Sequence, residues 1–498
     1  MSAELTLPQG SFMEQDRVLA DMIGLPYDSL AELTQTHVHD LGSIVILGTN
    51  DEVPVMRFHT GPDDSIKRGG TKFKFYSEEE LLVRDGIDHG RSMFFKIGAI
   101  GKTGLSEREY AAALTSSDPE AAIMAGFKAV RDGYGGGKTI AGVDHRRYAP
   151  EQNIDALKQV ARRMHEKGLT NPEVDGTAGD EGTGNLLDHY VDELRAIGHP
   201  HPEAAITGKR DMSERPAATG RGSAMSHRAR MQLLNQTTVR SAIQGFGAAG
   251  SWYGAEAYDP LNSDDRKLEI VIPAIGDLQF NRDGSRTPIT LHTEHPDGLP
   301  ITRRMIAELD DPNDVDMREV GGNRVLALAR KVEAVGREVR VSEKDVLTFE
   351  NADYLVPAAT SNVFTPDNVG NISIKNWLEV GNHTVRDDAR PFLDQLGVTL
   401  VPGEVVNAGG VMMSTEENLR DLRRIHTQAT GLYLPEVTSE TYNDRLRTTM
   451  TRSTQQMHAV AKEFGVDLQT AANVVGLASY AVSRDMKIDS SVRDLLAA

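Results

Sequence analysis

Hydrophobic and polar residues follow two spacings along the chain, and each spacing predicts a different kind of element. In the N-terminal part, residues 42–47 and 53–58 are short apolar runs separated by the turn-forming residues 49–51, which predicts two strands. Between residues 152 and 165 the apolar positions recur every three or four residues, which predicts a helix. Another helix is predicted from Ser77 to about residue 95, because a serine cap and three glutamates open it.

The second half of the chain shows a more regular alternation of strands and helices. Apolar runs predict four strands, at residues 238–243, 268–272, 354–356 and 398–401. A helix is predicted from about Ala248, and such alternation is typical of a parallel sheet with both faces covered. The C-terminal stretch, including residues 471–482, predicts helices that we expect to return to the first domain. We therefore expect an α/β protein with two domains and a cleft, the first boundary lying in the polar stretch 198–222.

Composition and charge narrow the classes of partner. Lys and Arg number 54 against 73 Asp and Glu in 498 residues, and this net charge of −19 argues against nucleic acid, since a phosphate backbone needs a basic face. The chain has no cysteine, which excludes disulfides, thiol nucleophiles and cysteine-based metal sites. No apolar run approaches the roughly 20 residues that span a bilayer, and the N-terminus lacks a secretory pattern. We expect a soluble, cytoplasmic protein without a membrane partner.

The glycine-rich segment 245–250 follows a predicted strand and opens a predicted helix, which is the context of a dinucleotide-binding fingerprint. Its glycines permit a tight turn and bring backbone N–H groups at a helix N-terminus close to a pyrophosphate. In NAD-binding folds a carboxylate after the next strand binds the ribose hydroxyls, and Asp277 suits that role although it lies 27 residues beyond Gly250. The alternative is that Asp277 is an ordinary turn residue, so NADP is not excluded.

Two other glycine-rich segments present ionisable side chains. Residues 132–139 resemble the end of a phosphate-binding loop, but Asp132 stands where that motif requires glycine and would repel phosphate. Lys138 has another use if it is desolvated, because its pKa then falls and the amine acts as a base near neutral pH. Residues 177–184 present Asp180 in the same manner. The alternatives are that Lys138 is an ordinary surface lysine and that Asp180 is an ordinary turn residue. The histidines show no tight ligand spacing, so no metal site is predicted.

Taken together, eight short motifs resemble the glutamate/leucine/phenylalanine/valine dehydrogenase family over about residues 40–485. Each motif alone is short, whereas eight in the family's order are hard to obtain by chance. They are Gly-Gly-Thr at 69–71, Ser-Met-Phe-Phe-Lys at 92–96, Gly-Gly-Gly-Lys-Thr at 135–139, Ala-Gly-Asp at 178–180, Arg-Pro-Ala-Ala-Thr-Gly at 215–220, the glycine turn at 245–250, Val-Pro-Ala-Ala at 356–359 and Asn-Ala-Gly-Gly-Val at 407–411.

The resemblance implies oxidative deamination of an L-amino acid to its 2-oxo acid, with hydride passing to a nicotinamide cofactor. Lys96 would hold the substrate α-carboxylate, Lys138 would activate water, and Asp180 would carry a proton to and from the amine. Asn407 and Thr219 would help to place substrate and nicotinamide. The implied substrate-binding residues are Lys96, Arg68, Gly70, Asn407, Ser414 and Val411. The implied cofactor-binding residues are Gly245, Phe246, Gly247, Ala248, Ala249, Gly250, Asp277, Thr219, Ala359 and Asn382.

The resemblance also implies a division of the chain. A substrate-binding domain over residues 1–205 and a Rossmann-type, doubly wound NAD(P)-binding domain over residues 206–430 would close over the substrate. A helical segment over residues 431–498 would pack back on the first domain. We expect NAD as the cofactor, with NADP not excluded, and a homo-oligomer, with a hexamer favoured.

Recognition of the substrate side chain is implied by two positions. Glutamate enzymes of the family have a lysine before the Gly-Gly pair and a serine near the end of the Asn-Ala-Gly-Gly stretch, where leucine and phenylalanine enzymes have apolar residues. This chain has Arg68 and Ser414 there, a cation and a hydroxyl suited to a side-chain carboxylate. Lys67 or Lys72 becomes the working cation if the strand register shifts. Glutamate is therefore the expected substrate.

The chain departs from the family in spacing. Lys96 and Lys138 lie 42 positions apart, whereas the family's two lysines lie much closer together, so residues 102–132 form an apparent insertion. Lys128 is the competing candidate for the substrate carboxylate, but residues 93–99 read like the family's segment and favour Lys96. The stretch 281–301, which begins with a predicted exposed loop, is also longer than the family needs.

Two other functions remain open at this point. The first is the same chemistry on a neutral amino acid of the leucine, valine or phenylalanine type. The second is a dinucleotide-binding regulatory protein without turnover, against which the retained Lys138 and Asp180 argue, because such a protein has no use for both.

Overall fold

The computed structural model describes residues 10–61, 66–76, 79–100, 134–145, 147–170, 175–179, 183, 186–207, 214–280, 286–311, 313–349, 351–430, 439–484 and 486–497. These residues form two β-sheets with helices packed on their faces. The expected α/β class is thereby confirmed.

The first sheet is formed by β1 (Thr36–Val45), β2 (Glu52–Thr60), β3 (Ile66–Phe73), β4 (Tyr134–Ala141), β5 (Asp175–Gly179) and β6 (Ile206–Thr207). Their order is β1-β2-β4-β3-β5-β6. Strand β2 is antiparallel to both of its neighbours, β1 and β4, whereas β4 is parallel to β3. The remaining pairs are parallel. β1 and β2 contain most of the two strands predicted at the N-terminus.

Helix α3 (Glu79–Ile100) covers one face of this sheet at very short range. A Cβ atom on Gly136 in β4 would lie only 2.2 Å from the carbonyl oxygen of Gly90 in α3, so the contact requires glycine. The opposite face packs on α4 (Pro150–Glu166) and α5 (Leu187–Ala196) through an apolar core. The predicted helices at 77–95 and 152–165 are confirmed as α3 and α4, residues 77 and 78 lying outside the described residues.

The second sheet is formed by β7 (Thr238–Gln244), β8 (Glu269–Val271), β9 (Ala274–Phe280), β10 (Arg286–His292), β11 (Arg340–Ser342), β12 (Tyr354–Pro357), β13 (Asn376–Leu378) and β14 (Thr399–Val401). Its order is β11-β10-β9-β7-β12-β13-β14, with β8 paired to β7. β7 and its neighbours β8, β9 and β12 are parallel, as are β13 and β14. The expected parallel sheet is therefore confirmed in its centre.

An antiparallel edge extends this sheet beyond the expectation. β10 pairs antiparallel with both β9 and β11. The long stretch 281–301 thus contributes a strand, while the predicted loop residues 281–285 lie outside the described residues. Asp277 also lies within β9 rather than in a turn after the strand. The strand predicted at 268–272 is interrupted near Pro273, which has no backbone N–H to donate, and resumes at Ala274.

The remaining helices surround the second sheet and link it to the first. No helix among the described residues is long and apolar enough to cross a membrane. These helices are α1 (Gly10–Ile23), α2 (Tyr27–Thr34), α6 (Glu214–Leu233), α7 (Ala248–Tyr258), α8 (Arg303–Asp310), α9 (Val315–Glu319), α10 (Arg324–Ala334), α11 (Arg390–Gln395), α12 (Gly403–Val406), α13 (Gly409–Thr430), α14 (Ser439–Phe464), α15 (Leu468–Ser483) and α16 (Ser490–Ala497).

The C-terminal helix α15 packs directly on α3, so the expected return to the first domain is confirmed. A Cβ atom on Gly98 of α3 would lie 2.1 Å from the carbonyl oxygen of Gly476 of α15, and one on Gly476 would lie 2.3 Å from the carbonyl oxygen of Phe95. The two backbones are therefore in contact. One buried apolar cluster joins Phe94 and Phe95 to α15, to α1 and to the interior of the second sheet.

The polar stretch 198–222 is not a linker throughout, because helix α6 begins at Glu214. Gly220 within this helix serves close helix packing rather than chain flexibility. A Cβ atom on Gly220 would lie 2.4 Å from the backbone nitrogen of Tyr253 in α7. Composition alone suggests a linker here, because glycine and proline are common both in linkers and at packed helix starts. The domain limits at 205 and 430 stay predictions.

Candidate functional site

Three lysines from the first domain are buried beside α3. Lys72, Lys96 and Lys138 are 2%, 3% and 2% exposed. Burial of an ammonium group is costly unless partners or a ligand compensate it, so three such lysines in one region indicate a functional site. Their positions follow from the strand register and from the close approach of α3.

The register of β3 and β4 sets which residues share a face. Thr71 pairs with Thr139 and Lys72 with Ile140. Because side chains alternate along a strand, Lys72 points to the same face of the sheet as Lys138. This is the face that α3 covers, because Gly136, two positions before Lys138, contacts the backbone of α3. The sheet thus directs Lys138 toward α3.

Asp85 organises the cations at this face of the sheet. It accepts a hydrogen bond from the Tyr76 hydroxyl, and its carboxylate lies 3.7 Å from the Nζ of Lys72 and 3.5 Å from that of Lys74. Burial alone would raise the pKa of Asp85, but the positive charges of its neighbours and the Tyr76 hydrogen bond hold it far below the usual range. Asp85 therefore faces the lysines as a carboxylate at neutral pH.

The second domain presents two asparagines to the buried lysines. Lys96 Nζ donates to Asn382 Oδ1 at 2.8 Å, and Asn407 Nδ2 donates to the same oxygen at 3.2 Å. Asn407 also donates to the carbonyl oxygen of Gly381 at 3.2 Å. The structure therefore brings together Lys96, Asn407 and Asn382, three of the residues expected in the site. Nearby, Lys72 Nζ donates to Ser361 Oγ at 2.8 Å, again across the domains.

Glu379 fixes the loops that carry these asparagines. It is 1% exposed at the end of β13, and its Oε1 accepts from the Thr384 hydroxyl at 2.9 Å. Its Oε2 accepts from the backbone N–H of Gly403 at 3.1 Å. One carboxylate therefore holds both the loop with Asn382 and the turn before Asn407. Nothing in the sequence predicts a role for Glu379, because a lone glutamate after a short strand belongs to no local motif.

The glycine turn lies next to the loop of Ala359. Gly245 has φ +93°, and a Cβ atom there would lie 2.6 Å from the backbone nitrogen of Ala359. On the other side of the same loop, a Cβ atom on Gly381 would lie 2.5 Å from the carbonyl oxygen of Ala359. Contacts therefore run without a gap from the glycine turn through Ala359 and Gly381 to Asn382 and hence to Lys96.

The turn has the geometry that a dinucleotide needs. It lies between β7 and α7, at the carboxyl end of a central parallel strand. Gly247 and Ala248 are exposed at the start of α7, and no atom lies within 4 Å of a Cβ built on Gly247, whereas one on Gly250 would lie 2.1 Å from the carbonyl oxygen of Gly245. The turn residues, with Ala249 half-buried between them, thus fit the dinucleotide that the sequence predicts.

Asp277 lies beside the turn, as the fingerprint expects, although it does so from within β9. Its Oδ2 accepts from the backbone N–H of Phe246 at 3.0 Å, and its Oδ1 from the N–H of Leu278 at 2.8 Å. The carboxylate is half-buried. It therefore stands at the edge of the turn, hydrogen-bonded to its backbone.

Helix α13 borders α3 with two further predicted residues. Val411 packs against Ile97, the neighbour of Lys96. Ser414 lies one turn further along and is 7% exposed. Thr219 of α6 is half-buried, and its carbonyl oxygen accepts from the Ser223 hydroxyl at 2.8 Å.

Several predicted residues lie wholly or partly outside what the structure describes. Asp180, Lys128 and the insertion 102–132 lie outside the described residues. Arg68 and Gly70 are described as strand positions of β3, where Arg68 pairs with Gly136 and Gly176. Of the two candidates for the substrate carboxylate, the structure describes Lys96 alone. Among the described residues there is no group of three or more His, Asp or Glu placed to hold a metal ion.

Comparison with known proteins points to one family. Residues 311–487 match the family model described as Glutamate/Leucine/Phenylalanine/Valine dehydrogenase. The NADP-specific glutamate dehydrogenase of Synechocystis sp. is 25% identical over 328 residues, which cover 64% of this chain and 66% of that enzyme. The match therefore spans slightly less than two thirds of the relative's length.

Solved structures of similar fold cover nearly the whole chain. The hetero-hexameric glutamate dehydrogenase of Thermus thermophilus, in a leucine-bound form, superposes with a TM-score of 0.62 at 16% identity. The superposition covers 97% of this chain and 98% of that chain. The glutamate dehydrogenase of Plasmodium falciparum gives a TM-score of 0.66 at 16% identity and covers 96% and 91%. At such identities the likeness concerns the fold.

Proposed function

We propose that this chain belongs to the glutamate/leucine/phenylalanine/valine dehydrogenase family and catalyses the reversible oxidative deamination of an L-amino acid, L-glutamate above others, to its 2-oxo acid and ammonia. The observation that carries the proposal is the continuous set of contacts from the glycine turn through Ala359 to Asn382 and the buried Lys96. It brings a dinucleotide site and a cluster of buried lysines to the same cleft. NAD, when bound, would accept the hydride from the substrate Cα.

The buried lysines suit the charges of an amino acid. Lys96 pairs with the α-carboxylate in this proposal, because it projects from α3 toward Asn382 and is hydrogen-bonded there to an amide that a carboxylate can displace. Lys138 projects from β4 on the α3-covered face. It removes a proton from the attacking water and stabilises the charge that develops on the carbinolamine oxygen. Asp180 exchanges a proton with the amine.

Three polar residues complete this assignment. Asn407 holds Asn382 through its side-chain amide, so the pair orients the substrate end of the cofactor domain. Ser414 and Arg68 recognise the side-chain carboxylate of glutamate. Lys72 is the alternative cation for that carboxylate, supported by its burial and by its place on the same sheet face as Lys138.

Asp277 supports NAD as the preferred cofactor. A carboxylate beside the glycine turn accepts hydrogen bonds from ribose hydroxyls and repels a 2′-phosphate. The Synechocystis relative is NADP-specific by name, so the two cofactors are compared directly. Asp277→Ser is expected to raise kcat/KM for NADP⁺ relative to NAD⁺ by about tenfold or more, corresponding to about 1.4 kcal/mol. A ratio unchanged by the substitution would remove Asp277 from cofactor selection.

The experiment that tests the function is reduction of NAD⁺ and NADP⁺ across glutamate, aspartate, leucine, valine and phenylalanine, with 2-oxoglutarate and ammonia run in reverse. Activity confined to glutamate supports the Arg68 and Ser414 assignment. Activity with a neutral amino acid keeps the mechanism and discards the assigned pocket. NADH binding without turnover on any substrate supports instead the non-catalytic, dinucleotide-binding alternative.

We also propose a hexamer of identical chains. The Thermus thermophilus neighbour is a hetero-hexamer by its title, so the assembly is tested by the mass of the purified protein expressed from this chain alone. A monomer would contradict the proposal. The cytoplasmic location expected from the sequence stays a prediction.

A further inference from the structure

Two histidines from different domains stack on each other at the cleft. His89 of α3 and His383 of the loop after β13 have ring centroids 4.4 Å apart and an angle of 30° between the rings. His383 holds a φ of +48°, a region that few residues other than glycine occupy, and its carbonyl oxygen accepts from the backbone N–H of Asn362 at 2.7 Å. The chain thus accepts an unfavourable backbone conformation at the residue that covers His89.

The stack belongs to a row of contacts between α3 and the second domain. His89, Ser92 and Lys96 follow at spacings of three and four and so share one face of α3. Ser92 Oγ donates to Glu404 Oε1 at 2.8 Å, and Lys96 donates to Asn382, the neighbour of His383. These contacts join the two domains along α3, the arrangement called closed here, with the histidine stack at one end of the row.

The charges that face His89 come from three elements besides the His383 loop. On α3, its Nδ1 donates to the backbone oxygen of Asp85 at 2.8 Å and lies 3.7 Å from the Asp85 carboxylate. On β3 and β4, the ammonium groups of Lys72 and Lys138 act on it. Burial chiefly, and these lysines with His383, lower the pKa of His89 well below its ordinary 6.5, although Asp85 opposes them.

The charges that face His383 are of both signs. Besides His89, its charged neighbour is Glu404 of α12. Burial alone would raise the pKa of Glu404, but the positive charges of His383, Arg390 and Lys96 lower it. A cavity of about 230 Å³ adjoins the stack and is lined by His383, Glu404 and Arg390 together with Asp88 and Arg91 of α3. His383 therefore has an anionic neighbour, whereas His89 is buried among cations as well as beside Asp85.

We propose that the His89–His383 stack is a proton-sensitive latch, which lets the two domains close over the cleft when His89 is uncharged and opposes closure when His89 carries a proton. The sign follows from the geometry. Lys72, Lys138 and Asp85 belong to the same domain as His89 and stay beside it in either state. Opening removes His383 and readmits water, so a charged imidazole is tolerated better in the open form.

The size of the effect follows from linkage. The proton must leave His89 on closure wherever the pH lies above the lowered pKa of the closed form but below the higher pKa that His89 has once His383 withdraws and water enters. In that range the ratio of closed to open molecules falls about tenfold for each unit by which the pH falls. Above about pH 7 His89 is uncharged in both forms, so its proton no longer affects closure. The effect does not depend on which substrate the cleft takes.

The latch is tested on the full chain without any ligand, so its failure is separable from failure of the proposed function. The chain has no cysteine, so Phe75→Cys and Asp367→Cys give two unique labelling positions. Both residues are exposed, and they lie shortly after Lys72 and Ser361, which bond across the cleft. Spin-label distances are measured between about pH 8 and pH 5.5, with labelled chains diluted in cysteine-free chains.

Two uncharged variants separate the latch from general acid effects. His89→Phe keeps an aromatic stack and cannot be protonated, and His89→Gln is a second uncharged form should the first fold poorly. His295→Gln, at an exposed histidine of the second domain, is the matched control. We expect the wild type and His295→Gln to shift to longer distances in acid, and both His89 variants to stay closed. Three results would each overturn the latch. They are equal opening of all forms in acid, no opening of the wild type, and a His89→Phe variant that is open at both ends of the pH range.

Discussion

Replacement of Gly98 by alanine tests how α3 is held in the site. A Cβ atom there would lie 2.1 Å from the carbonyl oxygen of Gly476, whereas ordinary contact begins near 3.4 Å. Helices α3 and α15 must therefore separate by more than about 1 Å, because neither atom belongs to a flexible side chain. Lys96 lies two residues away on α3 and would move with it.

The expected cost has a stability part and an activity part. Overpacking of this kind typically destabilises by about 1–3 kcal/mol. A displacement of about 1 Å in a positioning residue can lower kcat/KM by about a hundredfold. The free energy of unfolding is measured in urea, and activity in the amino-acid assay described above.

Gly370→Ala is the matched control for Gly98→Ala. No atom lies within 4 Å of a Cβ built on Gly370. Its replacement is expected to be neutral or to stabilise by up to about 1 kcal/mol, because alanine restricts the unfolded chain. If Gly98→Ala proved as stable and as active as Gly370→Ala, the reasoning about backbone contact between α3 and α15 would be refuted.

Two further predictions concern charges. Arg91→Met leaves Asp16 buried without its ion-pair partner and should lower the free energy of unfolding in urea by about 3–5 kcal/mol. The double variant Asp16→Leu with Arg91→Met should recover most of this loss. Equal stability of the single and the double variant would contradict the prediction. Burial alone would raise the pKa of Asp314, but its 2.7 Å hydrogen bond from Lys331 lowers it, so the stability it adds above about pH 4 is lost as the pH falls. Wild type and Asp314→Asn should therefore differ in urea midpoint near neutral pH and converge in acid, and a constant difference would refute the assignment.

The sequence predicts the fold well where a local pattern carries the information. The apolar period distinguishes α4 from the strands, and the glycine turn between β7 and α7 is predicted because its neighbours on both sides have the required character. The interruption near Pro273 and the antiparallel β9–β11 edge are not predicted, because pairing between distant strands depends on the tertiary structure. The sequence places Asp277 after the strand predicted at 268–272, whereas it lies within a second strand, β9, that begins at Ala274.

The site is predicted in part, for the same reason. Lys96 and Asn382 are 286 residues apart, and their hydrogen bond follows from closure of two domains rather than from any local spacing. The sequence marks Gly136 as part of the motif around Lys138, but its packing on Gly90 follows only from the position of α3 in the fold. His89 and Glu379 carry no motif, so their environment becomes known from the structure alone.

The measurement that tests the central claim most directly is the NAD⁺-linked turnover of L-glutamate by the wild type and by Lys138→Met, with Lys167→Met as the control at an exposed lysine. NADH binding and the urea midpoint of each protein establish that the fold and the cofactor site are retained. Loss of a general acid–base group predicts that Lys138→Met turns over glutamate about 100- to 10,000-fold more slowly, while Lys167→Met equals the wild type. Turnover by Lys138→Met within about threefold of the wild type would contradict the mechanism.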